Sequence, residues 1–134
     1  MAYRNILEDY MSIPGTKTPI TLTITGAASK TINGYYAINN NTAMVYIPQF
    51  SQFATSSDYL QTQLPAQLIP LNTVSIIGNV VSSDSSATFH EVQGLISVSQ
   101  SGVLTISSSP QYNTFTSGNY SGTFTGQTLT YNLN

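Results

Sequence analysis

The feature that most constrains the fold is the stretch from residue 94 to residue 107, GLISVSQSGVLTIS. Two runs in it alternate apolar and polar side chains with a period of two, and Gln100-Ser101-Gly102 separates them. A period of two puts successive side chains on opposite faces of a strand, so the pattern predicts an antiparallel hairpin with one buried face. Ile96 and Val98 share that face on the first strand, and Leu104 and Ile106 share it on the second. Gly102 stands where a three-residue hairpin loop needs a residue tolerant of positive φ. Leu95 and Val103 point the other way. That second apolar stripe predicts contact with another surface, either a second sheet or a second subunit.

Upstream, Tyr3, Ile6, Leu7, Tyr10 and Met11 recur at helical spacing and predict a helix over residues 3–13, stopped by Pro14-Gly15. So short a helix is not stable alone and must dock, either on the body of the domain or on copies of itself around a symmetry axis. Residues 1–15 therefore read as a short helical stem segment and residues 16–134 as a β-sandwich head domain. Thr18 to Thr25 alternates Ile20, Leu22 and Ile24 with threonines, the pattern of a half-buried strand. Residues 26–30 read as a loop. Tyr35 to Ile38 and Ala43 to Ile47 read as strands around an Asn39-Asn40-Asn41 turn. Residues 49–63 lack a period and read as a loop with one helical turn near Ser57 to Leu60. Leu64-Pro65 and Ile69-Pro70 frame a short extended piece. Val74 to Val81 is a near-continuous apolar run, the mark of a strand buried on both faces. Ser82 to Ser86 reads as a link, Thr88 to Val92 as a strand entering the central hairpin, and Ser107 to Asn119 as a long loop. Tyr120 to Phe124 and Leu129 to Leu133 close the chain around a Gly126-Gln127 turn. Nine or ten short strands with Gly, Pro and Asn between them predict an all-β fold, an antiparallel sandwich or jelly roll preceded by the short N-terminal helix.

Charge narrows the function classes. Three basic and five acidic residues make 6% of 134, against about 25% in an average soluble protein. A water-facing surface must then be built from Ser, Thr, Asn, Gln and Tyr, which suits protein or carbohydrate contact. Arg4, Lys17 and Lys30 are too few cations for counterion-release binding, so no nucleic-acid partner is expected. No run of 18 apolar residues exists, so no membrane insertion is expected. Glu8 and Asp9 stand where a secretory signal would be basic and then apolar, so no signal peptide is read. With no cysteine and only His90 as an imidazole, no metal site is expected. His90 with Asp84 or Glu91 lacks the nucleophile elbow a serine hydrolase uses, and reads as a strand residue at a loop edge. Asp84 and Glu91, seven residues apart, read as surface acids rather than a glycosidase pair. No phosphate-cradling glycine loop precedes a helix. No catalytic residue and no cofactor is expected, and the chain reads as a non-enzyme.

The second half resembles a known pattern. Leu64-Pro65 with Pro70, then Gly94, Ile96, Val98, Gly102, Leu104 and Ile106 at alternating positions, Phe115 to Gly118, and the terminal Leu129-Thr130-Tyr131 resemble the C-terminal head domains of viral and bacteriophage fibres and related minor structural proteins. Tyr35, Tyr36, Asn41 and Val45 are similar to the strand pair that precedes it there. The resemblance implies a jelly roll similar to the tumour-necrosis-factor and complement-C1q heads, assembled as a homotrimer at the end of a stalk on the virion surface, possible owners including virophage and giant-virus fibres. It implies attachment to a host-surface glycan or protein receptor, or alternatively a virion structural or cement role without receptor binding. It carries over no site residue, because binding in such heads lies on variable loops. The residues themselves offer Tyr112 and Tyr120 as receptor-binding candidates. Both sit in a segment rich in Asn, Ser and Gly, where tyrosines supply contact area and small polar residues adapt. The competing reading of that cluster is that Phe115 and one tyrosine plug the end of the sandwich.

Overall fold

The computed structural model of the chain describes residues 17–26, 29–53, 58–83, 90–123 and 125–134. The helix read over residues 3–13, and with it the stem segment 1–15, lies outside them. Ten strands stand among the described residues: β1 (Thr18–Ile24), β2 (Lys30–Asn39), β3 (Thr42–Ile47), β4 (Phe50–Phe53), β5 (Leu60–Gln63), β6 (Val74–Ser83), β7 (Glu91–Val98), β8 (Val103–Ser107), β9 (Tyr120–Thr123) and β10 (Gln127–Asn132). They form two antiparallel sheets, β1-β2-β3-β10 and β4-β9-β6-β7-β8-β5. The sheets enclose one core as a β-sandwich.

The core follows the alternation. Ile96 pairs with Ile106 and Val98 with Leu104 across β7 and β8, and all four are fully buried. Gly102 has φ +84° and donates its N–H to Ser99 O at 2.8 Å, closing the hairpin loop. From the other sheet Leu22, Ile24, Val45, Ile47 and Leu129 face the same core. The apolar run over residues 74–81 is not buried on both faces, however. Ile76 and Val80 point inward, whereas Ile77, in register with Leu95, points outward and is 61% exposed. An unbroken apolar run shows that a strand is buried but not on which side.

Strands β6, β7 and β8 form a meander, and β9 returns through residues 108–119 to lie beside β6, the spatial order of a Greek key. Gly126-Gln127 is not a hairpin turn, because β9 and β10 belong to different sheets. Instead β3 runs on into β4 while β9 runs on into β10, and the pairs β3–β10 and β4–β9 make one ribbon bent from sheet to sheet. Thr123 holds the bend: its Oγ1 donates to Pro48 O at 2.7 Å and accepts from Phe50 N at 3.2 Å. The end of the Tyr46 side chain occupies the space that a Cβ on Gly126 would fill, so any larger residue there must displace that ring.

Three further segments depart from the sequence reading. Residues 49–63 contain β4 and β5 rather than loop and helical turn, residues 54–57 lying outside the description. The inward positions of these strands include the polar Gln52 and Thr62, which hide the alternation. Between Leu64 and Pro70 the chain makes a 3₁₀ turn, Ala66–Leu68, not an extended piece. Leu68 is buried there, and the Tyr131 hydroxyl donates to its carbonyl at 2.7 Å. Strand β2 begins at Lys30, so Ile32 faces Leu22 well before the predicted start at Tyr35.

The strand directions sort the connections into two ends. At one end lie the Asn40-Asn41 turn, the 99–102 loop, the 64–73 segment and the last residues, laced by Leu133 N to Asn41 O (2.7 Å) and Asn134 N to Ile69 O (3.1 Å). At the other end β1, β4, β6 and β8 finish and β2, β5, β7 and β9 begin. Thr25 and Gln61 exchange two backbone hydrogen bonds of 2.8 Å there, joining the free edges of β1 and β5 across the two sheets. That junction covers an edge that would otherwise offer unpaired backbone groups.

Candidate functional site

The site is built on the connection from β8 to β9. Residues 108–119 are held at one anchor by Phe115, which is 1% exposed and whose N–H donates to Asp58 O at 2.8 Å. Phe115 therefore plugs the end of the sandwich. Between Ser108 and Phe115 the chain folds back on itself. Ser108 N donates to Asn113 O at 2.9 Å, and Ser108 Oγ donates to Thr114 O at 2.9 Å. Tyr112 N donates to Ser109 O at 3.1 Å. Short hydroxyl side chains bonding nearby backbone are what lets a serine-rich segment hold a compact turn. Ser109 Oγ also bonds the Asn113 side chain.

At the tip stands Tyr112, 43% exposed and in the left-handed region with φ +63°. A bulky side chain adopts that conformation at a cost, and an outlier of this kind points to function when its surroundings enforce it. Here they do. The Tyr59 hydroxyl donates to Tyr112 O at 2.9 Å, and the two rings pack with centroids 4.6 Å apart and planes tilted by 38°. Asp58 Oδ1 in turn accepts from Tyr59 N at 2.7 Å, fixing the support. The result is an aromatic platform that presents part of the Tyr112 ring to solvent, with the exposed Gln111, Asn113 and Thr114 beside it in sequence.

Both tyrosines chosen from the sequence fall at this end. Tyr112 is the exposed tip. Tyr120 is half-buried at the start of β9, in backbone register with Phe53 and Ser83, and so belongs to the sheet rather than to the loop. The sequence does not single out Tyr59, because it lies 53 residues before its partner and no local pattern links the two. His90 and Glu91 are exposed where β7 begins, and Asp84 lies outside the described residues. Among the described residues no group of three or more His, Cys, Asp or Glu could hold a metal ion. No helix among them is long and apolar enough to cross a membrane.

No family model and no curated protein matches the chain. Among solved structures it is similar to the reovirus attachment protein sigma1, determined in complex with α-2,3-sialyllactose, with a TM-score of 0.54 at 11% identity. The similarity covers 88% of this chain and 65% of that one. The chain thus shares its fold with a viral attachment protein.

Proposed function

We propose that the protein is the head of a viral attachment protein, a non-enzymatic jelly-roll sandwich that binds a host-surface glycan or protein through the loop end carrying Tyr112. The observation that carries this reading is the Tyr59–Tyr112 platform, a strained and exposed aromatic fixed at the tip of a hydroxyl-rich loop. Large aromatic anchors dominate binding energies where small polar side chains surround them. The shared fold with sigma1 supports it, as do the Greek key and the bent ribbon, which a jelly roll also contains. The outward Ile77 and its neighbour Leu95 supply an apolar stripe for assembly as a homotrimer on the virion surface.

Fluorescently labelled protein incubated with candidate host cells tests the reading. Binding should saturate and should change little between low and physiological salt, because stacking and neutral hydrogen bonds are weakly screened. Binding to none of the cells, with capture by other virion proteins instead, favours the structural or cement role. Binding that collapses as salt rises points to a charged receptor and away from this platform.

A further inference from the structure

We infer that the Tyr112 platform takes a neutral saccharide rather than an acidic one; this rests on the attachment reading. Residues 92–134, which include the whole 108–119 loop, contain no Asp, Glu, Lys, Arg or His. The charge tied to the platform is negative: Asp58 is exposed, its carboxylate holds Tyr59 N, and its carbonyl holds Phe115 N. Among the described residues the cation at this end is Lys30, which directs its Nζ to Ser51 O at 2.9 Å. Ser51 lies on β4, the opposite edge of the six-stranded sheet from β5, which follows Tyr59. His90 is exposed at the start of β7, next in sequence to the exposed Glu91. A sugar carboxylate on the Tyr112 ring would therefore meet Asp58 and find, among the described residues, no guanidinium or ammonium fixed there to receive it.

A neutral sugar fits what is present. The C–H face of a pyranose matches the exposed part of the Tyr112 ring as an apolar contact. Its hydroxyls both donate and accept, as do the side chains of the exposed Gln111, Asn113 and Thr114 that flank Tyr112 in sequence. The Tyr112 ring already packs on the Tyr59 ring, which is itself tied to the Tyr112 carbonyl, so less side-chain entropy remains to be lost on binding. The relation to sigma1 is then one of fold with a different ligand charge, since that protein was determined with a sialylated sugar.

The test is a panel of immobilised galactose-terminated oligosaccharides, each paired with its α-2,3-sialylated counterpart, probed with the full chain. Neutral members should bind at least tenfold more strongly than their sialylated partners. Tyr112→Ala should lower neutral binding at least tenfold. Asp58→Asn, which removes the charge and keeps an acceptor for Tyr59 N, should narrow the ratio of neutral to sialylated binding several-fold. Equal or stronger sialylated binding overturns the inference, as does neutral binding that survives Tyr112→Ala. Cells that bind the protein before and after enzymatic removal of their glycans, with the panel blank, overturn the saccharide and leave attachment standing. A blank panel and no bound cells overturn both.

Discussion

Replacing Tyr112 by glycine should leave a more stable protein than replacing it by alanine. Both substitutions remove the ring and its 4.6 Å stack on Tyr59, and both keep the backbone carbonyl that accepts the Tyr59 hydroxyl. The difference between them therefore isolates the backbone. At an ordinary position glycine is worse than alanine by about 0.5–1 kcal/mol, because it loses more chain entropy on folding. At φ +63° alanine must carry the left-handed cost of about 1–2 kcal/mol, which glycine does not. The balance favours Tyr112→Gly by about 0.5–1 kcal/mol, or about 2–4 °C in Tm for a chain of this length. Urea unfolding of the two variants, compared at equal m-values, measures it. An alanine variant as stable as the glycine variant, or more so, would refute the claim that the loop holds Tyr112 under strain.

Other outcomes follow from the core and the assembly. Ile106→Ala empties a fully buried site between β7 and β5 and should cost about 2–5 kcal/mol in denaturant unfolding; a change below about 1 kcal/mol would contradict the inward assignment. Tyr131→Phe leaves the buried Leu68 carbonyl without its hydroxyl donor and should cost about 1–3 kcal/mol near neutral pH. Burial pushes the Tyr131 phenol above its ordinary value, so the neutral form stabilises the fold fully below about pH 10 and that contribution is lost as pH rises further. Wild-type stability should thus fall above about pH 10, and less steeply in Tyr131→Phe; identical alkaline slopes would contradict this. Light scattering coupled to gel filtration should give three times 14.4 kDa, and a clean monomer at micromolar concentration would rule out the homotrimer.

What could be read in advance was decided by where the deciding contacts lie along the chain. The β7–β8 hairpin was legible because its pairing is local and its inward residues are all apolar. Strands β4 and β5 were not, since four residues with Gln52 or Thr62 turned inward show no hydrophobic period. Gly126-Gln127 reads as a turn from its glycine, but whether a turn returns the chain to the same sheet depends on partners such as Pro48, 75 residues from Thr123. At the site, the composition of the 108–119 loop pointed to Tyr112. Neither its positive φ nor its support by Tyr59 could be read, because a tyrosine carries no signal for a left-handed backbone and a ring contact across 53 residues leaves no spacing rule. Tyr120 was chosen on the same composition, yet β9 absorbs it.

Attachment through the loop end is tested most directly by comparing cell binding of two single variants placed at opposite ends of the sandwich. Tyr112→Ala removes the exposed ring at the platform, whereas Leu71→Ser alters a side chain that is 47% exposed at the other end and leaves its backbone bonds to Asn132 O and Gln100 Nε2 in place. With both proteins confirmed as folded and of wild-type mass, Tyr112→Ala should bind cells at least tenfold more weakly than wild type, and Leu71→Ser should stay within twofold. Full binding by Tyr112→Ala, or a loss confined to Leu71→Ser, would contradict the assignment of attachment to this end.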